Sequence, residues 1–226
     1  MLTNQILGGL PHAEFERVRP LLEPLLLDAG ERLSGAGEAP PYVYFPEGSV
    51  LAYRAELRGG AAPEVGMVGR EGVACLSPLL GPRPAPQSLE VLAGGPALRM
   101  RAADFERELG RAGALRTSVL AYAGDYLAQV SQRAACLARH KARQRLAVWL
   151  LLLAERLDSD AFNLTQERIA RHLGLRRAGV NVLADQLQEA GVISHSPGRL
   201  RLLDRPALEA AACECYAAVS AHGRAA

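Results

Sequence analysis

Residues 165 to 187 read TQERIARHLGLRRAGVNVLADQL, two short apolar helical registers separated by one glycine, and no other stretch restricts the fold as tightly. Thr165 can accept a hydrogen bond at a helix N-terminus, and Glu167 sits in the first turn, where its charge complements the helix dipole. Ile169, Ala170 and Leu173 then share one face, and Gly174 follows where a helix can end in positive φ. Leu175 enters the core, Arg176 and Arg177 open a second helix, and Val180, Leu183 and Leu187 give it an apolar stripe. A small Ala170 opposite the glycine lets the two helices cross closely at a steep angle, the geometry of a helix-turn-helix. Gly191 caps the second helix. The runs 192–195 and 199–203 read as strands about the turn Ser196-Pro197-Gly198, which adds a wing.

A winged helix-turn-helix lays its second helix in the DNA major groove. Arg176 and Arg177 begin that helix, where a guanidinium suits guanine O6 and N7, and Asn181, one turn on, suits adenine or a phosphate. Thr165, Gln166 and Arg199 are expected at phosphates, which position the protein without reading sequence. Gly179 lies inside the second helix at a cost of about 1 kcal/mol relative to alanine. It either brings the backbone close to DNA or weakens the helix.

Charge agrees with this reading. Residues 1–138 carry 13 Arg and no Lys against 15 Asp and Glu, while residues 139–205 carry 12 Lys and Arg against 7 Asp and Glu. A net +5 over the second segment, in a chain of net +2, is the footprint of nucleic-acid contact, and a solvated basic face would carry the same charge. The basic run Arg139-His140-Lys141-Ala142-Arg143-Gln144-Arg145 is its densest part. The competing reading, a small-molecule sensor whose winged helix docks on protein partners, is disfavoured by these cations. Enzyme function finds no support, since the sequence shows no Ser/His/Asp set, phosphate loop, metal cluster or glycine fingerprint.

Upstream, short apolar runs separated by Gly and Pro fill residues 25 to 100, as in YVYFPEGSVLAYRAEL and SLEVLAGG, and suit an antiparallel sandwich or barrel. Residues 12–26 repeat apolar positions at helical spacing, a short helix or pair closing one end. Asp104 is a plausible N-cap where the register changes. From Leu115 no proline interrupts the chain until beyond Arg156, and Leu115, Val119, Tyr122, Tyr126, Leu127, Val130 and Ala134 form a stripe over at least five turns. The small Ala121, Ala123, Gly124 and Ala128 permit close approach of a second copy, although packing on the chain's own domain explains the stripe equally well. LAVWLLLLA (146–154) is half the length of a membrane span and reads as a buried core helix. The N-terminus lacks an export signal, so a cytoplasmic protein is expected. Of four cysteines, only Cys213 and Cys215 are close, with no second Cys or His pair spaced to complete a zinc site, so packed or idle thiols and no metal are expected.

This order of parts resembles the CRP/FNR family of bacterial transcription regulators. The resemblance rests on the GERL and EGSV turns, on GREG (69–72), and above all on TQERIARHLGLRRAGV followed by LQEAGVI. It implies an α+β fold in which an N-terminal antiparallel β-roll, a cyclic-nucleotide-binding-like jelly roll, covers 1–110. A long dimerisation helix then covers 111–138 and a winged helix-turn-helix 139–226. It also implies a homodimer on palindromic double-stranded DNA, acting with RNA polymerase and away from membranes. The family's main base-reading arginine falls on Arg177, whereas the glutamate that often follows is Ala178 and a second arginine one turn later is Val182. At the ligand end Glu71 and Gly72 match the start of the family's cassette, but its Arg-Ser step, which clamps a cyclic-nucleotide phosphate, becomes Gln87-Ser88, with Arg83 four residues early. Cyclic nucleotide is therefore disfavoured. No cysteine precedes Cys75 to hold an iron–sulfur cluster, and neither His12 nor His140 has a haem-like setting, so the effector is unassigned.

Overall fold

The computed structural model of the chain describes residues 2–60, 62–81 and 84–222. Two short helices, α1 (Gln5–Gly8) and α2 (His12–Val18), lead through a 3₁₀ turn into β1 (Glu23–Leu27), β2 (Arg32–Ser34), β3 (Tyr42–Pro46), β4 (Val50–Arg54) and β5 (Glu64–Val68). After α3 (Ser77–Leu80) come β6 (Ser88–Ala93), β7 (Gly95–Arg101), α4 (Ala102–Gly110) and the 26-residue α5 (Ala114–Arg139). The C-terminal part runs α6 (Ala142–Leu157), β8 (Ala161–Phe162), α7 (Gln166–Leu173), α8 (Arg177–Glu189), β9 (Ile193–Ser196), β10 (Arg199–Leu202), α9 (Arg205–Ala211) and α10 (Cys215–His222).

The N-terminal strands form two antiparallel sheets, ordered β1-β7-β3 and β2-β6-β4-β5. Between them lie Val43, Phe45, Leu51, Leu89, Val91 and Met100, all essentially without solvent exposure. Phe105 of α4 closes the end of this core edge-on to Phe45, with ring centroids 6.0 Å apart. Helix α4 begins at Ala102 with Arg101 at its N-cap, so Asp104 is not the cap expected from the sequence; it sits in the first turn, where its charge favours the dipole.

The two halves share apolar surface, and the strands show how. Leu51 of β4 and Val91 of β6 face the sandwich interior, while Val50, Ala52 and Leu92 belong to the core of the C-terminal half. A strand apolar on both faces is buried on both. The covering layer is α6, whose residues 146–154 are all buried, as an all-round apolar helix requires. Around it pack Ile169, Leu173, Val180, Leu187, Ile193, Leu200 and Leu202.

The stripe on α5 divides. Leu115, Val119 and Tyr122 bury against the β-sandwich, whereas Leu127 is 67% exposed and joins Leu120 and Gly124 on an outward face. The basic run divides too: Arg139, Lys141 and Arg143 are exposed, but Arg145 turns into the crevice between α5 and α6 beside Cys136 and Trp149. No helix among the described residues is long and apolar enough to cross a membrane.

Candidate nucleic-acid interface

Helix α7 opens at Thr165, whose hydroxyl accepts from the Arg168 amide at 3.2 Å, and closes at Gly174 in the left-handed region at φ 64° and ψ 34°. The Leu175 amide then donates back to the Ala170 carbonyl at 2.9 Å, so the chain reverses within one glycine-centred turn. Arg176 is the N-cap of α8 and Arg177 its first residue. Val180, Ala184 and Leu187 of α8 are buried and Leu183 half-buried, which leaves Arg177, Ala178, Asn181, Val182 and Asp185 on or near the outward side. The wing pairs Ser196 with Arg199 across the turn, and β8, a strand the sequence did not announce, adds Phe162 opposite Leu200.

A groove of about 520 Å³ runs between α7, α8 and the wing, and its lining includes Thr165, Gln166, Arg177 and Asn181. Four of the six residues expected at DNA therefore share one concave surface. Arg176 and Arg199 are exposed but lie outside that lining. Neither Arg176 nor Arg177 makes an ion pair among the described residues, so both guanidinium groups are open to a partner. Asn181 Oδ1 is shielded from solvent with no hydrogen-bond partner among the described residues.

Sequence reasoning missed His195. Its ring joins the wing to both helices: Nε2 lies 2.9 Å from Asp185 Oδ1, and Nδ1 lies 3.1 Å from Gln166 Nε2. The contacts fit one tautomer, with Nε2–H donating to the carboxylate and the Gln166 amide donating to Nδ1. The His195 amide donates to Gln188 Oε1 at 2.8 Å, which completes the clamp. His195 lies at the end of an apolar strand signal, and nothing local in the sequence marks its partners.

Helix α7 is also tied to the N-terminal half. Arg168 donates to the Val91 and Leu92 carbonyls at 2.9 Å each, and burial lowers the pKa of its guanidinium. Below it, the fully buried Glu64 of β5 meets Arg133 of α5, Trp149 of α6 and His172 of α7. His172 Nδ1 sits 3.0 Å from Glu64 Oε2, off the line of a straight hydrogen bond. Arg133 also donates to the His172 carbonyl at 3.1 Å.

The residues expected at a ligand are not brought together. Glu71 pairs with Arg156 of α6 at 2.9 Å and accepts from the Gly69 amide at 3.0 Å, and it lines a cleft against α6. Gly72 abuts the Tyr122 ring so closely that a Cβ there would collide with ring carbons. Ser88 is buried at the start of β6, where it lines a different cleft with Arg54 and Glu90; Gln87 stands beside it half-buried. Arg83 lies outside the described residues. Where β5 faces α5, Tyr53, Tyr122 and Tyr126 fill the space, with ring centroids 5.6 Å and 6.1 Å apart, and burial pushes the Tyr53 and Tyr122 hydroxyls well up. Glu71 is thus engaged by Arg156, and aromatic rings occupy the helix-facing space.

Residues 144–211 match the Crp-like helix-turn-helix domain family. No characterised protein sequence matches the chain. Solved structures share its fold. A CRP-family transcriptional regulator from Thermus thermophilus is 20% identical, covering 83% of this chain and 96% of that one with a TM-score of 0.69. FixK2 from Bradyrhizobium japonicum is 18% identical, covering 85% and 98% with a TM-score of 0.72. The c-di-GMP responsive global regulator CLP of Xanthomonas campestris is 12% identical, covering 85% and 99% with a TM-score of 0.66.

Proposed function

From its Crp-like helix-turn-helix domain, set in the fold of CRP/FNR regulators, we infer that the chain is a sequence-reading DNA-binding transcription regulator acting as a homodimer. The observation that carries this reading is the groove between α8 and the wing, with an unpaired Arg177 guanidinium at the helix start and the Asn181 amide one turn on. Arg177 takes a guanine edge bidentately and Asn181, on turning its shielded Oδ1 outward, an adenine edge, while Thr165, Gln166, Arg176 and Arg199 contact phosphates or flanking bases. Val182, 55% exposed on the same helix, offers methyl groups to a thymine methyl in place of a second polar reader.

The exposed Leu120–Gly124–Leu127 face of α5 supports pairing of two such helices, which sets the spacing of two reading helices on a palindrome. RNA polymerase is the expected protein partner of the bound dimer. Any effector acts through the β-roll and α5, by a contact other than a cyclic-nucleotide phosphate clamp.

Titration of genomic fragments at several salt concentrations tests the reading. Affinity is expected to fall steeply with salt, as counterion release requires. An Arg177→Ala protein is expected to lose about 1–3 kcal/mol on its preferred sites, with relaxed preference at one base position. Equal weakening on all DNA would make Arg177 a phosphate contact, and salt-independent or absent binding would overturn the reading.

A further inference from the structure

The last turn of α5 and the corner between α9 and α10 bring together four residues from two distant stretches of the sequence. Cys136 and His140 stand one helical turn apart at the end of α5, and Cys213 and Cys215 flank the start of α10, which packs back on α5. The three sulfurs and one imidazole nitrogen all lie within 4.8 Å of one another. From this geometry we propose that Cys136, His140, Cys213 and Cys215 form a closed tetrahedral site for a thiophilic divalent cation of the zinc class.

The distances match the ion. With Zn–S near 2.3 Å and Zn–N near 2.0–2.1 Å, a tetrahedron has edges of about 3.8 Å between sulfurs and about 3.6 Å between sulfur and nitrogen. Cys136 Sγ lies 3.6 Å from Cys213 Sγ, and Cys215 Sγ lies 3.5 Å from His140 Nδ1. Three thiolates with one imidazole and no carboxylate select zinc-like ions over magnesium or calcium.

The surroundings are those of a built site. The cysteines are buried at 6%, 6% and 2% exposure, against Val148, Leu152 and Val219. His140 Nε2 lies 3.2 Å from Glu214 Oε1, which holds the tautomer that turns Nδ1 toward the sulfurs, the carboxylate–histidine arrangement common behind metal ligands. Gln132 Nε2 donates to Cys215 Sγ at 3.0 Å, which fixes the sulfur's position beside α5. Four protein ligands leave no open coordination position, so the ion's role is structural. It clips the C-terminal corner of the winged-helix half to the end of α5, beside the His140 break where α5 hands over to α6. On the reading of the chain as a dimeric regulator, metal loading thereby ties the winged-helix half to the dimer helix.

The test uses the full chain, purified reduced and stripped with a chelator, then titrated with Co(II) and afterwards with Zn(II). The expected result is one Co(II) per chain, with sulfur-to-cobalt charge-transfer absorption and the visible bands of tetrahedral cobalt, both abolished by Zn(II). Cys136→Ser, Cys213→Ser and Cys215→Ser are each expected to weaken or abolish the charge-transfer band, while Cys75→Ser, altered in the distant β-sandwich, leaves it intact. Should the serine variants fail to fold, alkylation of the unmutated chain followed by mass mapping decides: Zn(II) is expected to protect Cys136, Cys213 and Cys215. An octahedral cobalt spectrum, bands unchanged by Cys136→Ser, equal alkylation with and without Zn(II), or a Cys136–Cys213 disulfide formed in place of metal uptake would each overturn the proposal.

Discussion

Glu64 Oε1 of β5 lies 3.0 Å from Arg133 Nη1 of α5, with both side chains largely removed from solvent. The other carboxylate oxygen accepts from the Trp149 indole at 3.1 Å. One acidic group of the β-sandwich thus holds an arginine of the long helix and a tryptophan of the C-terminal half. Burial is the largest influence on Glu64 and raises its pKa, but Arg133, His172 and Trp149 together outweigh it and hold the carboxyl below its ordinary value.

A Glu64→Gln protein keeps the shape and leaves Arg133 buried without its counter-charge. It is expected to lose about 3–5 kcal/mol of folding stability, the range for breaking a buried pair. Urea titration of the two proteins at neutral pH measures this.

The same carboxylate sets a pH dependence. A depressed folded pKa contributes stability that is fully present above the unfolded value, near pH 4.3, and is lost as pH falls through the lower folded value. The parent protein is therefore expected to weaken below about pH 4 by more than Glu64→Gln does. Denaturant midpoints across pH 3 to 7 compare the two; parallel profiles would remove Glu64 from the account.

Gly179 stands on the exposed side of α8, and a Cβ built there meets nothing within 4 Å. No packing among the described residues requires the glycine. Gly179→Ala is expected to gain about 1 kcal/mol from helix propensity, read as a rise in denaturant midpoint. A loss of DNA affinity accompanying that gain assigns the glycine to close approach of the DNA backbone.

Leu127 is 67% exposed on α5 although it belongs to the helix's apolar stripe. Leu127→Glu removes no internal contact of consequence, so the monomer fold and its unfolding midpoint are expected to stay within about 0.5 kcal/mol of the parent. Light scattering is expected to show a smaller particle, and binding to paired half-sites is expected to fall far more than binding to a single one.

Local signals made the helix-turn-helix legible. Thr165 as cap and Gly174 as terminator each act over a few residues and stand where expected, and the wing turn falls one residue tighter, on Pro197 and Gly198, because Ser196 pairs with Arg199 in the hairpin. The all-apolar run 146–154 likewise announced a buried helix, because a helix without a polar face has nowhere else to go. The two-sided apolar character of β4 was present in the sequence too, since Val50-Leu51-Ala52 has no polar side, but it named no partner for the second face.

What escaped the sequence depends on residues far apart in the chain. Glu71 matched the start of a ligand cassette in the sequence, and only folding showed its pairing with Arg156 of α6. Cys213 and Cys215 had no completing pair nearby, because Cys136 and His140 arrive from the other side of the winged helix. The sequence by itself determined the two helices of the helix-turn-helix, where the first stops and which of them carries the unpaired arginines, since these follow from propensity and capping within a few residues. The tertiary structure alone decided which charges are neutralised, which apolar faces are covered and which thiols meet, since those depend on the docking of two halves whose contacting residues no local rule relates.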